Sequence, residues 1–316
     1  MTESINQSST PWEQKALEKI LLESVKEQRR GRRWGILFKS LFILYLLILL
    51  ILFLQPRFNA TASEKSHTAL IDIKGIIAEE APAEADKVTG SLRAAFDNPH
   101  TQGIILRINS PGGSPVQASY VYNEIKRLKQ LHPTTKVYAV CTDICASAAY
   151  YIASAADEIY ADPASLVGSI GTVLSSFGFV DTMKKLGIER RLLVSGKNKG
   201  ILDPFLPLEP AEVKHVQTAL DIVHRQFINH VKEGRGPRLK NNPEIFSGLF
   251  WSGETAKQLG LVDGFGSTGF VARTLVKNEN IIDYTLKPNY FNRLAKRLGA
   301  SMGQEIRGSL EKMEVR

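Results

Sequence analysis

Residues 36–54 are isoleucine, leucine and phenylalanine apart from Lys39, Ser40 and Tyr45, and no other stretch limits the fold of this chain as strongly. As a helix, this run spans about 28 Å, close to the hydrocarbon thickness of a bilayer. A helix in the core of a soluble domain normally keeps a polar face, and none is left here after Ser40. Lys39, near the start, is long enough to return its ammonium to the headgroup layer. Arg29, Arg30, Arg32 and Arg33 stand just ahead of the run. A basic cluster on that side keeps the N-terminus in the cytoplasm and puts residues after about 55 across the membrane. About 35 residues precede the run, and the stretch 55–60 offers only a weak small-residue cleavage pattern. A single uncleaved anchor is therefore expected rather than a cleaved signal peptide.

The 316 residues leave room for one large domain beside the anchor. The expected organisation is a cytoplasmic segment over 1–35, the anchor over 36–54, a linker over 55–67, a folded domain over 68–285 and a basic amphipathic tail over 286–316. The formal charge of +8 is unevenly placed. Residues 1–40 carry eight Lys/Arg against five Asp/Glu, and Lys287, Arg293, Lys296 and Arg297 form a second basic group. These groups explain much of the alkaline balance. No zinc-finger spacing or nucleic-acid-reading module accompanies them, so no nucleic-acid partner is expected. Cys141 and Cys145 have no histidine nearby and read as small buried side chains. Neither a metal nor a cofactor is expected.

Hydrophobic periodicity predicts a short amphipathic helix over 12–28, then strands over 68–73, 103–108, 137–140 and 158–161. Helices are expected between them, over 83–96, 116–128 and 146–155. A glycine-rich stretch follows at 166–173 (LVGSIGTV), then a short helix over 179–186 and a strand over 189–194. Pro210 opens a long helix over 210–233, Ser252 caps another, and residues 281–285 close the domain. This alternation argues an α/β domain with a mainly parallel sheet.

Three features carry possible chemistry. Gly112 and Gly113 follow the buried strand 103–108, where backbone N–H groups can turn toward a ligand and serve a developing oxyanion. Ser147 stands in a run of small residues after strand 137–140, where a substrate backbone can come close. Alone, it reads more readily as a helical serine bonded back to its own turn. The N–H of Ala148 would be a second oxyanion donor. A serine nucleophile needs a base, and none of His67, His100, His132, His215, His224 and His230 has a strand-end or glycine-rich setting. A histidine base stays open on this ground, and a desolvated lysine can do the same work; lowering its pKa from about 10.4 to about 7–8 costs roughly 3–4 kcal/mol. Lys199, before Gly200, Ile201 and Leu202, fits this better than most, with Lys197 its nearest competitor. Ser169, in the glycine-rich stretch, is suited to hold the amine.

Five strings occur in order: INSPGG (108–113), ICASAAYYIA (144–153), DPASLVGSIGTV (162–173), SGKNKGILDPF (195–205) and FWSGETAKQLGLVDGFG (250–266). Together they make the chain resemble the signal peptide peptidase A family of membrane-bound serine proteases, in its short single-domain form, over about residues 66–285 plus the anchor. The resemblance implies the β-α superhelical fold shared by crotonases and the Clp protease subunit. It implies a Ser–Lys dyad that cleaves remnant signal peptides or other hydrophobic peptides at a bacterial inner membrane, with the catalytic domain periplasmic. By position, Ser147 matches the nucleophile, Lys199 the base (ahead of Asp203-Pro204-Phe205, which favours it over Lys197) and Ser169 the serine that orients the lysine. Gly113 and Ala148 match the oxyanion hole. A homo-oligomer is implied, an octamer for single-copy forms. The family's usual glycine pair after the serine is Ala148-Ala149 here, and each keeps its backbone N–H. Other readings are a related quality-control protease acting on membrane proteins, a crotonase-type acyl-CoA enzyme, and an inactive scaffold. The anchor, Ser147 and Lys199 weigh against the acyl-CoA enzyme, and the retained serine and lysine weigh against the scaffold.

Overall fold

The structure, a computed structural model, describes residues 11–54 and 65–286, in two units described separately. The basic C-terminal tail and most of the linker lie outside the described residues. The first unit is one helix, α1 (Pro11–Leu54), rather than a short amphipathic helix and a separate anchor. Gly31, within the arginine cluster, and Gly35 do not interrupt it. Its stretch Lys26–Leu50 has a mean hydropathy of 1.9 and is long and apolar enough to cross a membrane. All side chains from residue 36 to 50 are exposed.

The second unit is built on β1 (His67–Lys74), α2 (Ala85–Asp97), β2 (Thr101–Ser110), α3 (Pro115–Leu131) and β3 (Lys136–Ala146). Then come α4 (Ala148–Ala153), β4 (Glu158–Ala161), β5 (Leu166–Gly168), α5 (Val180–Lys185) and α6 (Pro210–Arg235). The unit closes with β6 (Phe250–Ser252), α7 (Gly253–Gln258), β7 (Gly264–Phe265), α8 (Thr268–Val271) and β8 (Ile281–Asp283). The sheet order is β6-β5-β3-β2-β1-β8, with β4 pairing β3 and β7. All pairs are parallel except β5–β6.

Parallel strands are buried on both faces, which is why GIILRI is continuously apolar. Ile104, Leu106 and Ile108 point into the larger core with Ile71, Ile73 and the inner faces of α2, α3 and α4. Ile105 points the other way, with Leu70, Tyr138 and Val140, under Val271 and Ala272.

Strand β3 decides where the site falls. Its first half pairs β4 through Tyr138–Cys141, and its end pairs β5 through Ile144–Ala146. Between them it bulges: Cys141 lies opposite Ile108 but Cys145 opposite Ser110, so the intervening residues loop out. Asn109 of INSPGG clamps the bulge, donating to Asp143 Oδ2 (2.7 Å) and accepting the Ile144 N–H (3.3 Å). The polar Thr142-Asp143 step hides the continuation from a periodicity reading, which ends the strand at residue 140. The strand expected over 189–194 does not form. Among the described residues its backbone pairs with no strand, and Leu193 is 98% exposed.

A buried ion pair explains part of the GLVDG string. Arg235, 1% exposed, forks onto Asp263 (Nη1–Oδ2 2.8 Å, Nη2–Oδ1 2.9 Å) and donates through Nε to the Gly260 carbonyl (2.9 Å). Asp263 also accepts the Ile159 N–H at the start of β4 (2.7 Å). The pair therefore ties α6 to the sheet, well apart from Ser147 in sequence and role.

Candidate active site

At the end of β3 the chain turns into α4 through Ser147, whose φ of 55° and ψ of −126° are rarely adopted by non-glycine residues. The turn is held from both sides. The Ser147 N–H donates to the Gly168 carbonyl (2.8 Å), and the Ser147 carbonyl accepts the Tyr151 N–H (3.0 Å). Ser147 thus precedes its helix and is half-buried, with no hydrogen bond on its Oγ among the described residues. A serine bonded back to its own helical turn is excluded.

The exit of β2 presses on this turn. A Cβ at Gly112 (φ 107°) would stand 2.7 Å from Ser147 Cβ and 3.0 Å from the Ala148 nitrogen, so only glycine allows the approach. Gly113 passes equally close to Ile77, where a Cβ would collide with the Ile77 carbonyl. Ile77 bonds to the Gly112 carbonyl (2.9 Å) and the Ser114 N–H (2.7 Å), leaving the Gly113 N–H outside the bridge on an exposed residue. Ala148 opens α4, so its N–H has no acceptor within the helix. Two backbone donors therefore flank the serine turn. Such a pair suits an oxygen that gains negative charge as a nearby hydroxyl adds to its carbon. The Ala148 and Ala149 methyls are buried in the core, at 3% and 0% exposure, and do not project into open space.

Ser169 follows Gly168, the residue that anchors the Ser147 N–H, and has a positive φ of 51°. Its own N–H donates to the Leu249 carbonyl (2.8 Å) across β5 and β6. Ser147, Gly112, Gly113, Ala148 and Ser169 thus lie just beyond the carboxyl ends of β2, β3 and β5. Lys199 does not join them in the single chain. It lies exposed in a turn closed by its N–H on the Gly196 carbonyl (3.0 Å), and its amine has no partner among the described residues. Lys197 is exposed in the same turn. Around them, Phe179 stacks on Phe205 (5.6 Å between centroids) and Arg190 pairs with Asp203 (3.0 Å). Outward from this segment point Val173 (87% exposed) and Phe177 (81%).

Among the described residues no histidine is hydrogen-bonded to Ser147. His224 Nε2 meets the Ile170 carbonyl (3.1 Å), His230 Nδ1 the Tyr151 hydroxyl (3.0 Å) and His67 Nε2 the Tyr284 hydroxyl (2.8 Å). Cys141 and Cys145 are free and buried. Burial, with Cys141 beside it, pushes the Cys145 thiol pKa well up, which keeps it protonated and unreactive. Sequence reasoning missed the Gly168 carbonyl as the anchor of the serine turn, although its place in VGSIG marks a backbone approach. It also missed Trp251, whose buried Nε1 has no hydrogen-bond partner among the described residues and whose ring lies against Gly168.

The parallel sheet and the serine turn define an α/β domain of the Clp-protease type, and the Clp protease profile matches residues 62–165. The profile of Peptidase family S49 matches residues 129–281. A Methanocaldococcus jannaschii protein named "Putative protease MJ0651" is 33% identical over 219 residues, covering 67% of this chain and 70% of that protein. The chain belongs to peptidase family S49. Protease 4 of Haemophilus influenzae is 30% identical over 203 residues, 63% of this chain and 32% of that protein. A Brucella melitensis protein named Na(+)/H(+) antiporter NhaA is 47% identical over 177 residues, 56% of this chain. The match spans about a quarter (24%) of that relative's length.

Proposed function

We propose that this peptidase is a membrane-anchored serine endopeptidase that hydrolyses hydrophobic peptides, remnant signal peptides among them, beside a bacterial inner membrane. The observation that carries the reading is the Ser147 turn, with a free hydroxyl between two outlying backbone donors. Ser147 Oγ attacks a peptide carbonyl while Lys199, neutral and oriented by Ser169, takes its proton. The oxyanion is held by the Gly113 and Ala148 amides, and the lysinium protonates the leaving amine. Water then releases the acyl group from Ser147, with the lysine again as base. Helix α1 supplies the anchor, with the arginine cluster on the cytoplasmic side and the αβ domain in the periplasm.

A neutral lysine needs desolvation, and Lys199 is exposed in the single chain. The exposed apolar side chains of the same segment supply a surface for a second copy. We therefore read the dyad as completed between copies in a homo-oligomer. The test uses the detergent-solubilised full chain and a leucine-rich fluorogenic peptide. Lys199→Ala should lower kcat/KM by roughly 10^3-fold or more, with Lys197→Ala within about threefold of the parent. Co-expressed Ser147→Ala and Lys199→Ala chains should regain activity that neither has alone. Loss in Lys197→Ala with Lys199→Ala active would move the base to Lys197.

A further inference from the structure

Gly112 has no side chain to set its backbone, so the two amides that flank its Cα are aimed by what they bond to. On one side the Gly112 N–H donates to Ser110 Oγ (3.1 Å), a serine that ends β2 and is 0% exposed. On the other side the Gly112 carbonyl accepts the Ile77 N–H (2.9 Å). The Gly112–Gly113 peptide is trans, so its carbonyl and its N–H point in opposite directions. With the carbonyl on Ile77, the Gly113 N–H faces away from Ile77, on a residue that is exposed where Gly112 is buried. The other donors of this loop are absent or taken: Pro111 has no N–H, and the Ser114 N–H goes to the Ile77 carbonyl (2.7 Å). The Gly113 N–H is left without an acceptor among the described residues.

We propose that Ser110 is a positioning residue for peptide hydrolysis: through the Gly112 N–H it locks the glycine pair so that the Gly113 amide is aimed at the oxyanion formed by Ser147. The proposal rests on the peptidase reading above. Without the Ser110 hydroxyl, the Gly112 N–H is a buried donor with no acceptor, and the loop gains by turning about its glycine bonds to find one. That turn takes the Gly113 N–H off its line. It is also felt at the nucleophile, since a Cβ on Gly112 would stand only 2.7 Å from Ser147 Cβ. An oxyanion donor acts on the tetrahedral state and little on the bound substrate, and removing one outright costs about 10^2–10^3 in kcat. A misaimed donor costs part of that, in kcat rather than KM.

The experiment compares the full-chain parent with Ser110→Ala and Ser110→Cys in detergent, measuring kcat and KM on a leucine-rich peptide. It also measures Ki for a peptide boronic acid, whose tetrahedral adduct on Ser147 carries an oxygen at the oxyanion position. Ser110→Ala should lower kcat and raise Ki each at least about tenfold, with KM within about threefold of the parent. Ser110→Cys keeps a side chain of similar size with only a weakly accepting sulfur, and should raise Ki at least about threefold. A role confined to folding lowers the active fraction and leaves Ki where it was. Smaller changes in Ki, whatever happens to kcat, therefore overturn the positioning role and leave the peptidase reading intact. If the alanine variant does not fold, the cysteine variant decides by the same criterion. Absence of Ser147-dependent hydrolysis in the parent overturns both.

Discussion

Ser147→Ala is expected to lower kcat/KM for peptide hydrolysis by on the order of 10^4-fold or more, the scale at which loss of an attacking hydroxyl is felt in serine hydrolases. The fold should not register the change. Ser147 makes no side-chain hydrogen bond among the described residues, and its backbone contacts to Gly168 and Tyr151 are independent of the hydroxyl. Alanine faces the same positive φ as serine, so the strain of the turn is retained rather than removed. Ser147→Gly would relieve it, giving a protein as inactive as the alanine variant and at least as stable. This pair separates chemistry from folding. Unfolding midpoints within a degree or two of the parent, with activity gone in both, assign the effect to the oxygen. Retained hydrolysis in either variant would remove Ser147 from the mechanism.

Asp263→Asn should instead destabilise the domain by roughly 3–5 kcal/mol, because it leaves the buried Arg235 guanidinium without its counter-charge. For a domain of this size that corresponds to a fall in Tm of about 10 °C. The same pair gives stability an acid limit. Burial raises the Asp263 pKa, but the Arg235 hydrogen bonds and charge outweigh it, and the net shift is downward. A carboxylate with a lowered folded-state pKa contributes its full stabilisation above its unfolded pKa, near 3.9, and loses it as pH falls through the lower folded value. The parent should therefore keep this contribution from pH 7 to about 5 and lose it below about 4. Asp263→Asn should start lower and lose less on acidification. Thermal unfolding followed by tryptophan fluorescence across that pH range reads both effects. Equal midpoints for parent and variant at pH 7 would show that Arg235 is satisfied without Asp263.

The parts of the fold legible in the sequence are those whose pattern is local. Strands β1 and β2 and helices α2, α3 and α6 follow from their apolar periodicity, and Ser252 caps α7 through the Thr255 N–H as its position suggests. What was hidden depends on partners distant in sequence. The bulge in β3 exists because Asn109 of the neighbouring strand clamps it, and the polar residues it carries interrupt the apolar signal. Residues 189–194 have the composition of a strand, but composition does not provide an edge to pair with. At the site, INSPGG announces a close backbone approach without saying what is approached; the structure identifies the Ser147 turn. The unusual φ of Ser147 leaves no trace in a residue-by-residue reading, and the glycines of VGSIG mark a close approach without showing that the Gly168 carbonyl holds the serine turn. The relation of Lys199 to Ser147 is the least legible part, since 52 positions separate them and the lysine stands on an exposed turn.

The central claim is that Ser147 becomes acylated. Full chain in detergent is mixed with an activated peptide ester, quenched in acid during turnover, digested and read by mass spectrometry. The account predicts the acyl group on the fragment containing Ser147, at Ser147 itself, and its disappearance in Ser147→Ala. An acyl group on Cys141, Cys145 or any other residue, with Ser147 unmodified during turnover, would contradict it.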